Sequence, residues 1–118
     1  MTMPLIVGNW KMNLLTAEAV KLALGVKEVV EKLTDVRVIL APSFTSLHSV
    51  SHTLCGSKVG LASQNFYFKK NGAYTGEVSP DMIKDAGCKY SIVGHSERRQ
   101  LFGETDELIH EKILGALE

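Results

Sequence analysis

A chain of 118 residues with 45% hydrophobic and 22% charged side chains has the composition of one folded domain, which excludes a disordered or low-complexity polymer. Thirteen basic residues balance thirteen acidic ones, so no electrostatic footprint for nucleic acid or an anionic membrane is present. No apolar run approaches a signal peptide or membrane span, and Cys55 and Cys88, at no metal or redox spacing, read as free thiols; a cytoplasmic setting is expected.

Leu5-Ile6-Val7 is a short apolar run ending at Gly8, as expected of a strand buried on both faces. A helical pattern follows, with Thr16 as expected N-cap, Glu18 in the first turn, and Leu22, Val26, Val29 and Leu33 as expected inner face. Val36 to Ala41 reads as a second strand closed by Pro42-Ser43, and Leu47, Val50 and Leu54 mark a second helix. Val59-Gly60-Leu61-Ala62 reads as a third strand. Ser79-Pro80 caps a short third helix that Gly87 stops. Tyr90 to Val93 is the fourth strand, and Thr105-Asp106-Glu107 opens a last helix carrying Leu108, Ile109, Lys112, Ile113 and Leu117. Strands alternating with helices predict a parallel sheet with right-handed crossovers.

One connection breaks the pattern. Gln64 to Ser79 spans roughly sixteen residues, against the roughly two to six usual between a strand and its helix. It carries Phe66, Tyr67, Phe68 and Tyr74, with Gly72 and Gly76 for tight bends. Aromatic tips need somewhere to bury area, so the expectation is an arm that docks into a partner.

The chemistry-bearing residues lie just past strand ends. Lys11 follows the first strand with Asn9 at that strand's end, and His95 follows the fourth strand after Gly94. Ser96 to Gly103 reads as a helical turn stopped by glycine; a helix N-terminus beside an imidazole favours a neutral ring able to donate one hydrogen bond. His48 and His52, four apart on the second helix, have no neighbouring ligand to complete a metal site, and His110 reads as exposed helix surface. No metal or cofactor is expected.

Gly8-Asn9-Trp10-Lys11-Met12-Asn13 and Val93-Gly94-His95-Ser96-Glu97-Arg98-Arg99 resemble the two N-terminal motifs most diagnostic of triosephosphate isomerases. Gly72-Ala73-Tyr74-Thr75-Gly76-Glu77-Val78-Ser79 is similar to that family's long third loop, and Ala41-Pro42-Ser43-Phe44-Thr45 to its second strand end. The resemblance implies cofactor-free interconversion of dihydroxyacetone phosphate and glyceraldehyde 3-phosphate. It implies Lys11 as the cation facing substrate and enediolate, with Asn9 beside it, and His95 as the neutral electrophile. Glu97 is implied as the partner that tunes Lys11, and Ser96 as the group holding the catalytic base before substrate arrives. It further implies a subunit interface lined by Met12, Asn13 and Gln64, with Thr75 steadying Asn9 and Lys11 across it. Glu77 and Arg98 are implied as an ion pair between subunits.

The family's barrel closes with eight strands, and its base glutamate, lid and most phosphate-binding backbone lie in the second half. Glu104 and Glu107 follow the fourth strand, and neither is a convincing substitute base. The expected fold class is therefore α/β: residues 1–118 as a single N-terminal half of a (β/α)8 TIM barrel, four parallel strands with outer helices and strands five to eight absent. Leu5, Val7, Ile39, Leu61 and Ile92 are its expected interior layer. Such a face needs cover: a complementary C-terminal half-barrel chain that completes the isomerase, or a second copy forming a non-catalytic half-barrel scaffold, natural or engineered. Alone, the chain is expected to be close to inert.

Overall fold

The computed structural model describes residues 3–118. Strands β1 (Leu5–Asn9), β2 (Arg37–Ala41), β3 (Gly60–Ser63) and β4 (Tyr90–Ser91) pair in parallel in the order β1-β2-β3-β4. Leu5 lies opposite Arg37 and Asn9 opposite Ala41, so the chemistry-bearing ends of neighbouring strands share one edge of the sheet. Between strands run α1 (Thr16–Val30), a 3₁₀ turn (Phe44–Ser46) leading into α2 (Leu47–Leu54), and α3 (Pro80–Asp85). After β4 come α4 (Ser96–Leu101) and α5 (Asp106–Leu117). No helix among the described residues is long and apolar enough to cross a membrane.

Local signals set most boundaries. Ser79 Oγ accepts the Met82 N–H at 3.1 Å and Thr105 Oγ1 the Leu108 N–H at 3.2 Å, capping α3 and α5 as expected. Gly87 ends α3 at φ +113°, where an added Cβ would strike the Ser51 side chain. Several strand limits shift: β2 starts one residue late, β3 starts and ends one residue late, and β4 is short because the chain after Ile92 leaves the ladder. Ile92 still donates its N–H to Ser63 O at 2.9 Å.

Helix α1 corrects two expectations. Its cap position is Leu15, not Thr16, and the Glu18 carboxylate reaches back to accept the Leu15 N–H at 3.0 Å. Its inner face is Ala19, Ala23 and Val30 with Val26 beside them, while Leu22 and Val29 stay 45% and 60% exposed. The alanines let the helix backbone approach α2 closely, and close approach here outranks side-chain size.

The sheet has one finished face and one open face. Leu40, Leu61, Val50, Leu54, Phe66 and Ile83 form the core between sheet and helices, joined by Val38 and Val93. Leu61 thus faces the helices and not the interior layer, because its place one residue from Ala62 puts it on the opposite side of the pleat. The interior layer is Ile39, Ala41 and Ala62 with Ile92. Leu5 and Val7 share that face by register with Arg37 and Ile39, yet lie 52% and 46% exposed. Across it Arg37 Nη2 donates to the Tyr90 hydroxyl at 3.0 Å, passing over Gly60, where a Cβ would sit 3.0 Å from the Tyr90 ring.

The long connection is rooted in its own chain. Phe66 is buried in the core, Tyr67 donates its N–H to Val78 O at 2.7 Å, and the Tyr67 ring packs on Phe68 and Tyr74 at 4.6 and 4.8 Å. Only the tip, residues 69–77, stands exposed as an arm.

Candidate active site

The turn after β1 is built around a backbone that lysine rarely adopts. Lys11 has φ +55° and Leu14 φ +73°, left-handed conformations that cost about 1–3 kcal/mol each outside glycine. Side chains hold this turn. Asn9 Oδ1 accepts the Lys11 N–H at 3.0 Å, Gln64 Nε2 donates to Lys11 O at 2.9 Å and to Ala41 O at 2.8 Å, and Asn13 Nδ2 donates to Trp10 O at 2.9 Å.

Facing it, Gly94 at φ +69° turns the chain out of β4 against Ile109 and delivers His95 to the start of α4. The Glu97 N–H donates to His95 Nδ1 at 3.0 Å. Nδ1 is therefore an acceptor, and the ring's proton sits on Nε2, free to be donated. Lys11 Nζ meets Glu97 Oε2 at 3.0 Å, and the other carboxylate oxygen lies 3.7 Å from His95 Nδ1. The hydrogen bond from Lys11, reinforced by the charge of Lys11, holds the Glu97 carboxyl below its ordinary range against a smaller opposing push from desolvation.

Asn9, Lys11, Gln64, His95 and Glu97 line one cleft of about 200 Å³, walled by Phe44 and Phe102. The cleft offers an ammonium and the His95 N–H donor, with the Arg98 guanidinium, engaged by Glu104, in its wall. Its one carboxylate, Glu97, is tied to the ammonium and poorly basic. A larger cavity of about 680 Å³ lies away from this chemistry, between α3 and the end of α5. Its one thiol, Cys88, is pushed up to about 11 by burial and is a poor nucleophile.

The other expected site residues distribute differently. Ser96 is exposed beside the cleft, Met12 is 94% exposed, and Thr75 and Glu77 stand on the exposed tip of the long loop. Within this chain Arg98 pairs with Glu104, Nε to Oε2 at 2.8 Å, and its guanidinium stacks 4.9 Å from the Phe102 ring. Gln64, expected to line an interface, is engaged inside the chain by the turn after β1. The His48 and His52 rings lie edge to face at 4.7 Å, and no cluster of three or more metal-ligating side chains occurs among the described residues.

Sequence reasoning missed the centre of a second network. Glu104, its side chain 1% exposed, accepts from Lys112 Nζ at 2.9 Å, from Arg98 Nε at 2.8 Å and from the Gly94 N–H at 3.2 Å. Lys112 Nζ also donates to Asn65 Oδ1 at 2.7 Å. Burial alone would raise the Glu104 carboxyl, but the hydrogen bonds and charges of Lys112 and Arg98 outweigh it and hold it below its ordinary range. The signal was present: Lys112 interrupts the apolar stripe of the last helix, and a cation there requires a buried partner.

Residues 4–118 match the family model for triosephosphate isomerase. Curated triosephosphate isomerases from Pelobacter propionicus and Endomicrobium trichonymphae are 49% and 47% identical to the chain over 117 residues, covering 99% of it and 47% of each relative. That of Herpetosiphon aurantiacus is 48% identical with the same coverage. The chain spans about half the length of the curated relatives it matches.

Proposed function

Since the chain belongs to the triosephosphate isomerase family, we propose that its Lys11–His95 cleft is one wall of an isomerase site whose base and phosphate-binding backbone come from a complementary half-barrel. The observation that carries this reading is the convergence of Lys11, His95 and Glu97 from two strand ends on one cleft with no free base in it.

The roles follow from the groups. In the triose phosphate a carbanion must form beside a carbonyl. A glutamate of the second half removes the carbon proton, the electron pair moves into the carbonyl, and the oxygen becomes an enediolate. Lys11 faces that developing charge, and the His95 Nε2–H donates to the same oxygen. His95 then passes its proton to one oxygen and takes one from the other, and the glutamate returns its proton to the neighbouring carbon. Asn9 orients both Lys11 and the substrate, and Ser96 holds the glutamate before substrate binds. Glu97 keeps Lys11 in place and, being poorly basic, does not compete for the carbon proton. A partner's loop tip, with Thr75 and Glu77, packs against Met12, Asn13 and Arg98.

Positioned general base catalysis contributes about 10²–10⁴-fold, so the chain alone should be close to inert. The test is isomerase activity of the purified chain, by itself and mixed with a chain carrying strands five to eight of a relative. Activity only on mixing, at a defined complex mass, is expected. A stable, inactive homodimer indifferent to the second chain would overturn the reading in favour of a self-closing scaffold.

A further inference from the structure

We propose that Gln64 is a positioning residue for Lys11: with Asn9 it clamps the Lys11 backbone in the left-handed conformation that brings the ammonium to Glu97 and His95. The assignment rests on the reading of Lys11 above as the cation that faces substrate.

Both backbone groups of Lys11 are taken by side chains, the N–H by Asn9 Oδ1 at 3.0 Å and the carbonyl by Gln64 Nε2 at 2.9 Å. A single amide nitrogen carries two hydrogens, and Gln64 spends the second on Ala41 O at 2.8 Å, at the end of β2. That nitrogen therefore sets the distance between a fixed strand end and the carbonyl of Lys11. Asn9 is itself in register with Ala41, so both arms of the clamp are referred to the same rung of the sheet. Without them only the bonds at Trp10, from Asn13 Nδ2 to its carbonyl and from its N–H to Ala41 O, still hold the turn. No bond then fixes Lys11 itself at φ +55°, and its backbone relaxes toward negative φ. Relaxation swings the side chain out of its 3.0 Å contact with Glu97.

The next residue provides an internal control. Asn65 also lines the cleft, but its side chain binds Lys112 in the buried network and, among the described residues, makes no hydrogen bond to the turn after β1. Loosening β3 in general should therefore differ from releasing Lys11.

The experiment is NMR on the labelled chain, following the Glu97 side-chain carboxyl through an acid titration together with the Lys11 backbone shifts. Gln64→Met keeps the volume and removes both donors; Gln64→Glu keeps the shape and replaces the donors by an anion facing two carbonyls. In both variants the Glu97 midpoint should rise toward its ordinary value and the Lys11 backbone shifts should move, while Asn65→Ala lowers thermal stability and leaves both unchanged. An unmoved Glu97 midpoint in the Gln64 variants overturns the proposal. An equal rise in Asn65→Ala, or unfolding of Gln64→Met where Asn65→Ala stays folded, also overturns it, since either would make Gln64 merely structural. These readouts need no catalysis. Missing isomerase activity on mixing would sink the functional reading and leave the clamp standing.

Discussion

Lys11 and Glu97 meet at 3.0 Å with 54% and 43% of their side chains in water, whereas Lys112 and Glu104 meet at 2.9 Å with 3% and 1%. Nearly equal distances therefore carry very different energies. Water and salt screen the first pair, which contributes little to holding the fold together and keeps a cation available at the cleft. The second pair is desolvated, and it persists because Arg98, Asn65 and the Gly94 N–H satisfy what the pair leaves open. The two networks also meet: Gly94 is hydrogen-bonded by Glu104 and directly precedes His95. The buried network steadies the ground on which the exposed one acts, so one should fail in chemistry and the other in stability.

Substitutions can break that division. Lys11→Ala or His95→Ala, tested in the reconstituted barrel, should lower kcat/KM by about 10²–10⁴-fold while complex mass stays put. The unfolding midpoint should hold in Lys11→Ala and fall slightly in His95→Ala, which loses the side-chain cap of α4. Assembly lost in both variants would instead make these residues structural. Glu104→Gln leaves Lys112 buried without a counter-charge and should cost about 3–5 kcal/mol in urea unfolding of the chain. A cost no larger than that of a surface substitution would show the network to be dispensable.

Acid sharpens the contrast further. Because the folded Glu104 carboxyl lies below its ordinary value of 4.5, its stabilisation is complete above that value and drains away as pH falls through the lower, folded one. In that window the unfolded state binds more protons. The wild-type chain should therefore lose stability below pH 4.5, and Glu104→Gln should remove this part of the slope. The smallest effect belongs to Glu97→Gln: its carboxylate is already screened by water, so the fall in unfolding midpoint should be slight at low salt and vanish at high salt.

Much of the site was legible because it sits at chain punctuation. Asn9 and Lys11 after β1, and Gly94 and His95 after β4, are marked by short apolar runs that end abruptly, and parallel strands bring such ends to one edge. The caps at Ser79 and Thr105 were legible for a similar reason, since a cap is a contact between residues three apart in sequence. What escaped were contacts between distant segments. Nothing local distinguishes Gln64 as the donor to Lys11, Asn65 as the acceptor for Lys112, or Glu104 as the centre of a network spanning β4, α4 and α5.

Hydrophobicity misled at α1 and at Leu61 for a related reason. Leu22, Val26, Val29 and Leu33 form as good a helical stripe as Ala19, Ala23, Val26 and Val30, and periodicity cannot choose between them. Packing chose the alanines, because the distance between α1 and its neighbours decides which side chains fit. At Leu61 a strand's alternation is clear, but which side of the pleat meets the helices depends on pairing register, and register exists only between strands.

By itself, then, the sequence determined the order of elements, the caps of α3 and α5 and the residues at the strand ends, since each follows from interactions within a few positions of the chain. Tertiary structure alone decided which face of each element is inside, that Glu104 is entombed with Lys112 and Arg98, and that Lys11 adopts a conformation its own chemistry opposes. Those outcomes depend on burial and on partners far apart in sequence, and both come into being only when the sheet has formed.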